Sequence, residues 1–201
     1  MNLRVHPDAK GLIFDLDGTL SDSLPVHMAN WNKIGEKYGF VFDPQIMVEM
    51  TGRATIDFAR RIVDEYNLSV EPEKIVELKQ SSFRSSAELL VPIDEILSIV
   101  KEFHGKLPMS VGTGASRRST EVQLKQLALT NCFDAIVTAN DVTRHKPYPD
   151  TFLECARIMG VEPAFCQVFE DGDLGIEAGK RAGMIVTDVR PFINYGNWLH
   201  S

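Results

Sequence analysis

The stretch Ile13-Phe14-Asp15-Leu16-Asp17-Gly18-Thr19-Leu20 places two aspartates directly after an apolar run. Residues 11–16 are apolar enough to form a buried strand, and ionised carboxylates do not stay near a core unless they are paired, hydrogen-bonded or bound to a metal. Because side chains alternate along a strand, Asp15 and Asp17 are expected on the same side, and Gly18 then permits a sharp turn. The pattern predicts a metal-binding carboxylate pair where a strand ends.

Composition restricts the class of protein. The chain has 201 residues, a formal net charge of -7, and hydrophobic and charged fractions of 44% and 24%, which are typical of a globular protein. The acidic balance argues against a nucleic-acid partner. Three widely spaced cysteines indicate free thiols in a reducing compartment, and neither a signal peptide nor a membrane-spanning run is recognisable. We therefore expect a cytoplasmic monomer or weak homodimer with no membrane partner.

Hydrophobic periodicity divides the chain into an all-helical part and a part in which strands and helices alternate. Alternation of this kind indicates right-handed βαβ units and a parallel sheet. The prediction is an α/β fold, a Rossmann-like three-layer parallel sheet core of residues 1–20 and 91–201 with a small all-helical cap, residues 21–90, inserted after the first strand. Strands are expected at 11–16, 108–113, 134–138, 166–170 and 184–188. Helices are expected at 24–38, 43–50, 55–66, 72–90, 93–104, 117–129, 150–159 and 174–182. The tail with Trp198 is expected to lie on the core.

Polar residues follow several of the predicted strands. Ligands of open α/β sheets bind beyond the carboxyl ends of the strands, so these residues are expected to share one rim, which the helical cap would cover. They are Asp15 and Asp17, the segment Thr113-Gly114-Ala115-Ser116, the segment Arg144-His145-Lys146-Pro147-Tyr148-Pro149-Asp150, and Glu170-Asp171.

Four motifs in this order resemble those of the haloacid dehalogenase-like superfamily of phosphotransferases. They are Asp-x-Asp-Gly-Thr at 15–19, the strand-terminal Thr113, Lys-Pro-x-Pro-Asp at 146–150 and Glu-Asp-x-x-x-Gly-Ile at 170–176. The resemblance covers essentially the whole chain, including the position of the helical cap. Within the superfamily, the chain is similar to the branch of beta-phosphoglucomutase and sugar-phosphate phosphatases.

The resemblance implies a role for each catalytic residue. Asp15 would be the nucleophile that attacks phosphorus and forms an aspartyl phosphate. Asp17 would be the general acid for the leaving alkoxide and then the base for the incoming water, which requires a protonated Asp17 beside an ionised Asp15. The Thr113 hydroxyl and the Gly114 amide would hold phosphoryl oxygens. Lys146 would neutralise the nucleophile and the charge that develops in the transition state.

The resemblance also implies a Mg²⁺ site, because attack by a carboxylate on a phosphate dianion meets charge repulsion. Asp15, the backbone carbonyl of Asp17, and Asp171 would be the ligands, with Glu170 binding directly or through water. A hard, oxygen-rich site of this kind suits Mg²⁺.

The substrate is expected to be a small phosphorylated metabolite, and a sugar phosphate similar to fructose 1-phosphate is the leading candidate. Residues expected to bind it are His27, Trp31, Arg53, Gly114 and Ser116. In the mutase branch an arginine and a lysine flank the cap loop and clamp a second phosphate, and Thr55 and Thr51 stand at those places here. Loss of bidentate phosphate recognition favours a phosphatase over a mutase.

Two alternative readings of the motifs fail on spacing. A calcium loop starting at Asp15 would need Gly and Glu where Leu20 and Val26 stand, and a dinucleotide loop at Gly112 would need Gly where Arg117 stands. Three alternatives stay open from the sequence: a hexose-phosphate mutase, a catalytically silent binding module, and a metal-independent dehalogenase.

Overall fold

A five-stranded parallel sheet forms the centre of the molecule, for which a computed structural model describes residues 3–193. The strand order is β5-β4-β1-β6-β7, and all four neighbouring pairs run parallel. The five strands expected from the sequence are therefore confirmed. The strands of the sheet are β1 (Gly11–Phe14), β4 (Met109–Gly112), β5 (Ala135–Val137), β6 (Cys166–Glu170) and β7 (Ile185–Asp188), and two further short strands are β2 (Ser21–Asp22) and β3 (Val91–Pro92).

Helices cover both faces of the sheet, because the strands alternate apolar side chains to either side. Leu12 and Phe14 of β1 pack in one cluster with residues of the helices Asp94–Phe103 and Arg117–Gln126. Ile13 packs in another cluster with residues of the helices Asp150–Met159 and Asp173–Arg181. The predicted three-layer α/β architecture is thus confirmed. The helices are α1 (Leu24–Tyr38), α2 (Pro44–Met50), α3 (Thr55–Glu65), α4 (Pro72–Ser85), α5 (Asp94–Phe103), α6 (Arg117–Gln126), α7 (Asp150–Met159) and α8 (Asp173–Arg181).

The helices α1–α4 lie in the chain between β1 and the rest of the sheet and share a hydrophobic cluster built around Trp31, Ile62 and Ile75. The chain enters and leaves this region through β2 and β3, where Ser21 pairs with Pro92 and Asp22 with Val91 in antiparallel register. Sequence periodicity could not predict these strands, since two residues are too few to show an alternation.

Helix ends differ slightly from the predicted ones. The helix expected to reach residue 90 ends at Ser85, and a separate 3₁₀ turn follows at Ala87–Leu89. Gly39 ends α1 as expected, with a left-handed φ of 79°. No helix within residues 3–193 is long and apolar enough to cross a lipid bilayer, and Trp198 lies outside the described residues.

The topology determines where the functional residues meet. The three central neighbours of the sheet are β4, β1 and β6, and their carboxyl ends lead directly into Thr113, Asp15 and Asp171. Parallel strands bring these ends to one edge of the sheet, where ligands of α/β folds bind.

Candidate active site

The carboxylate of Asp15 lies directly after β1 and is buried against an ammonium group. Lys146 Nζ donates hydrogen bonds to Asp15 Oδ1 at 2.6 Å and to Glu170 Oε2 at 2.7 Å, and all three side chains are at most 4% exposed. The other oxygen of Glu170 accepts a hydrogen bond from the backbone N–H of Gly172 at 3.0 Å. Buried charges persist only when paired in this way, so Lys146 joins the ends of two strands.

Asp15, Glu170 and Asp171 form a compact acidic group, with one oxygen from each carboxylate within 4.8 Å of the others. Asp171 Oδ1 also accepts a hydrogen bond from the Thr19 hydroxyl at 3.1 Å. Glycine is required at position 18, beside Asp171, for two reasons. Its φ is +83°, and a Cβ at this position would overlap the carboxylate of Asp171.

The raised pKa values of two of these carboxyl groups show that the acidic group lacks positive charge. Burial, followed by the charge of Glu170, raises the pKa of Asp15 to about 8 although Lys146 opposes the shift. Burial and the charges of Glu170 and Asp15 also raise the pKa of Asp171 well above its ordinary value of 3.8. One ammonium does not balance three buried carboxylates, and an all-oxygen donor set of this kind suits a hard divalent cation such as Mg²⁺. The residues therefore fit the metal that the sequence predicts.

The affinity of this group for Mg²⁺ should rise with pH. A carboxyl group whose pKa is about 8 in the folded protein is mostly protonated at pH 6, and it must lose its proton to bind a cation. We expect the association constant to increase by roughly tenfold per pH unit for each proton released, levelling off above pH 8. Calorimetric titration with Mg²⁺ in buffers of different ionisation enthalpy counts these protons. Equal affinity at pH 6 and pH 8, without proton release, would contradict the assignment.

The carboxylate of Asp17 points away from the acidic group. Its Oδ1 accepts hydrogen bonds from Ser23 Oγ at 2.6 Å, from His27 Nε2 at 2.9 Å and from Gln123 Nε2 at 2.9 Å. Burial alone would raise the pKa of Asp17, but His27 and these hydrogen bonds outweigh burial and lower it. Ser23 stands at the N-cap of α1 without capping it, since its hydroxyl donates to Asp17 instead.

One expectation about Asp17 is therefore wrong. Its side chain is not the second half of a metal-binding carboxylate pair, because β1 ends at Phe14 and the chain turns over the next residues, so strand alternation does not extend to Asp17. The protein groups by themselves shift the two pKa values in the opposite order from the one that general acid catalysis by Asp17 needs, because Asp15 lies among carboxylates whereas Asp17 accepts three hydrogen bonds. A cation bound by the acidic group would favour the ionised form of Asp15.

A buried lysine stands behind His27. Lys79 Nζ lies 2.6 Å from His27 Nδ1, and the imidazole stacks on Phe83 with ring centroids 4.5 Å apart. Burial lowers the pKa of Lys79 to about 8, and burial and Lys79 together lower the pKa of His27. A neutral His27 that accepts from Lys79 at Nδ1 donates from Nε2 to Asp17. Lys79 thus orients the ring that holds Asp17.

Sequence reasoning missed Lys79 and Gln123, although each leaves a signal. Lys79 falls four residues after Ile75 and four before Phe83, on the buried stripe of α4. Gln123 lies next to Leu124 on the buried face of α6. A polar side chain on an apolar stripe indicates a specific hydrogen-bond partner, but the spacing alone does not say which.

One cleft of about 670 Å³, partly open to solvent, lies between the strand ends and the helical cap. The structure brings most of the predicted site residues to its walls, and Lys146, Glu170 and Asp171 lie beside Asp15 at its base. Arg53 contributes a buried Nε with no hydrogen-bond partner among the described residues. The predicted residues that line the cleft are Asp15, Asp17, His27, Trp31, Arg53, Thr113, Gly114 and Ser116.

The loop between α2 and α3 closes the cleft by direct contact with the sheet edge. A Cβ at Gly114 would lie 2.8 Å from the carbonyl oxygen of Gly52 and 2.7 Å from that of Arg53. On the same side, His145 Nδ1 lies 3.3 Å from Asp57 Oδ2 of α3. Position 114 therefore requires glycine, because the loop between α2 and α3 approaches its backbone closely.

Comparison with known proteins places this site in a family. Residues 12–189 match the family haloacid dehalogenase-like hydrolase. The chain is 42% identical over 180 residues to fructose-1-phosphate phosphatase YqaB of Escherichia coli K12, covering 90% of this chain and 96% of that protein. It is 29% identical to beta-phosphoglucomutase of Bacillus subtilis, covering 90% and 83%. The crystal structure of beta-phosphoglucomutase from Clostridium difficile superimposes with a TM-score of 0.81 at 25% identity, over 90% and 84% of the two chains.

The chain belongs to the haloacid dehalogenase-like hydrolase family. Within that family it is a phosphatase, an enzyme that hydrolyses phosphoric monoesters. The resemblance inferred from four motifs is thus confirmed.

Proposed function

We propose that this enzyme is a Mg²⁺-dependent phosphatase that hydrolyses a small sugar phosphate through an aspartyl phosphate on Asp15. The observation that carries the proposal is the buried carboxylate of Asp15, held by Lys146 next to Glu170 and Asp171 at the base of the cleft. Mg²⁺ bound by Asp15, Asp171, the backbone carbonyl of Asp17 and Glu170 would reduce the repulsion between nucleophile and phosphate.

The two aspartates have different roles in the proposed reaction. A carboxylate oxygen of Asp15 forms a bond to phosphorus while the ester P–O bond breaks, and the alkoxide takes a proton from Asp17. Asp17 then accepts a proton from the water that cleaves the acyl phosphate. The Thr113 hydroxyl and the Gly114 amide hold the phosphoryl oxygens, and Lys146 remains protonated beside them because the carboxylates of Asp15 and Glu170 outweigh burial and raise its pKa.

The cleft favours a small polar substrate. His27, Trp31, Arg53 and Ser116 line it together with the catalytic residues, and the free Nε of Arg53 offers a donor to an anion or a hydroxyl. The most similar of the relatives named above acts on fructose 1-phosphate, and we propose a substrate of that class.

A hexose-phosphate mutase is the second candidate, since two of the compared proteins are beta-phosphoglucomutases. The cleft carries the uncharged Thr51 and Thr55 beside Arg53, which supports the phosphatase.

The division into a core of residues 1–20 and 91–201 and a cap of 21–90 is likewise proposed. A cytoplasmic location and a monomeric or weakly dimeric state stay predictions from the sequence.

The test is phosphate release from a panel of phosphorylated sugars, polyols and carboxylates, with Mg²⁺ and with chelator. The proposal expects release from small sugar phosphates in the presence of Mg²⁺ alone. Interconversion of isomers that depends on a bisphosphate primer would establish the mutase instead. Haloacid turnover in chelator would indicate a dehalogenase, and inactivity toward every phosphomonoester would overturn the proposal.

Replacing Asp17 by asparagine should separate proton transfer from metal binding. An amide cannot donate the proton that the alkoxide needs, so kcat should fall by ~10²–10⁴-fold, the usual contribution of a general acid and base. Mg²⁺ affinity should stay within a few-fold of wild type, since the side chain lies outside the acidic group. Calorimetry and steady-state kinetics measure the two effects. A parallel loss of both would show that the role of Asp17 is misassigned.

A further inference from the structure

Gln123 is a buried amide that connects helix α6 to the carboxylate of Asp17. The side chain is fully buried, its Nε2 donates to Asp17 Oδ1 at 2.9 Å, and its Oε1 has no hydrogen-bond partner among the described residues. An unpaired buried acceptor destabilises the folded protein, so packing alone would favour an apolar residue here. The contact with Asp17 is the feature that explains an amide at this position.

All three side-chain donors to Asp17 reach the same oxygen. Ser23, His27 and Gln123 each approach Oδ1 at 2.6–2.9 Å. An oxygen of an ionised carboxylate offers about two lone-pair sites. Three donors from different parts of the chain fix the orientation of the carboxylate and leave Oδ2 as the oxygen that can face the ester.

Gln123 differs from the other two donors in where it is anchored. Ser23 and His27 belong to the segment that begins the helical cap. Gln123 lies in α6, whose neighbouring Leu124 packs in the core cluster of the sheet with Leu12. Its contact with Asp17 therefore connects a helix that packs on the sheet to the turn that follows β1.

We propose that Gln123 is a positioning residue that binds Oδ1 of Asp17 from helix α6 and thereby orients the carboxylate so that Oδ2 faces the ester oxygen. The inference rests on the proposed phosphatase function. As the bond from Asp15 to phosphorus forms and the ester P–O bond breaks, the ester oxygen keeps the electron pair and takes the proton from Oδ2. Asp17 is left as a carboxylate whose Oδ1 is still held by Gln123.

The test compares Gln123→Met with Gln126→Met, which makes the same change at an exposed position of the same helix. The quantity measured is kcat/KM for a series of phosphomonoesters with leaving groups of different pKa. In a double-displacement reaction kcat/KM reports the steps up to formation of the covalent intermediate, which is where the alkoxide needs a proton. We expect a loss of roughly 10- to 100-fold with sugar and alkyl phosphates, part of the whole general-acid effect. We expect less than about threefold with 4-nitrophenyl phosphate, whose leaving group needs little protonation.

Gln123→Leu is a second variant that removes the N–H donor without adding a charge, and it should show the same selective loss. Thermal unfolding of each variant identifies a folding defect. An equal loss with good and poor leaving groups, or no loss in either variant, would overturn the positioning role. Inactivity of the wild type toward all of these esters would instead overturn the proposed function, and the positioning role with it.

Discussion

Replacing Asp15 by asparagine is expected to abolish phosphate release, with kcat falling by about 10⁴-fold or more, the scale of other nucleophile deletions. An amide has no negative oxygen with which to attack phosphorus. Asp17, the other carboxylate that lines the cleft within residues 3–193, points toward His27 and Gln123. Steady-state phosphate release with Mg²⁺ at saturating substrate measures the loss.

The matched control is Asp8→Asn, which removes an exposed carboxylate far from the strand ends. It should leave kcat unchanged within error. The asparagine at position 15 retains the size of the native side chain, and Lys146 keeps its bond to Glu170, so the variant should fold. Residual turnover above about one per cent of wild type in folded protein would contradict nucleophilic catalysis by Asp15.

Replacing Lys146 by methionine is expected to produce the largest loss of stability. The ammonium is the cation that bonds both Asp15 and Glu170, and its removal leaves the buried carboxylate of Glu170, and that of Asp15 where it is ionised, uncompensated. Breaking a buried ion pair from one side costs about 3–5 kcal/mol. Chemical denaturation in chelator should show a loss of this size, and Mg²⁺ should restore part of it because a cation supplies the missing charge.

Lys101→Met is the control for this substitution, since it exchanges an exposed lysine in the last turn of α5. It should change the free energy of unfolding by less than about 0.5 kcal/mol. Lys146→Met should also lose turnover after Mg²⁺ has restored its stability, because Lys146 stabilises the transferring phosphoryl group. A variant as stable as wild type in chelator would show that the buried carboxylates are neutral without the lysine.

The fold could be predicted from the sequence because its signals are local. Strand β6 was expected at 166–170 and spans Cys166–Glu170, since the regular alternation of strands with helices indicates its place in the chain. The helices α1, α2 and α4 could be predicted for the same reason, with Gly39 ending α1 and prolines beginning α2 and α4. The ends of several elements differ from the predicted ones: β1 ends at Phe14, α6 ends at Gln126, and a 3₁₀ turn follows Ser85. The two-residue ladder of β2 and β3 was not predicted.

The site could be predicted only in part, because side-chain direction depends on tertiary contacts. The motifs identified Asp15, Lys146 and Asp171, which the topology then brings to one edge of the sheet. The orientation of Asp17 could not be predicted, since it follows from donors that lie as far as 106 residues away in the chain, at Gln123. Lys79 was missed for the same reason, as its partner His27 is 52 residues distant.

The central claim is that Asp15 carries the phosphoryl group during turnover. The most direct measurement is rapid acid quench of enzyme, Mg²⁺ and a radiolabelled sugar phosphate on the millisecond scale, followed by peptide mapping. Label that is recovered on Asp15, and is absent in Asp15→Asn, is the predicted result. Phosphate release that proceeds without any labelled peptide, or label on another residue, would contradict the claim.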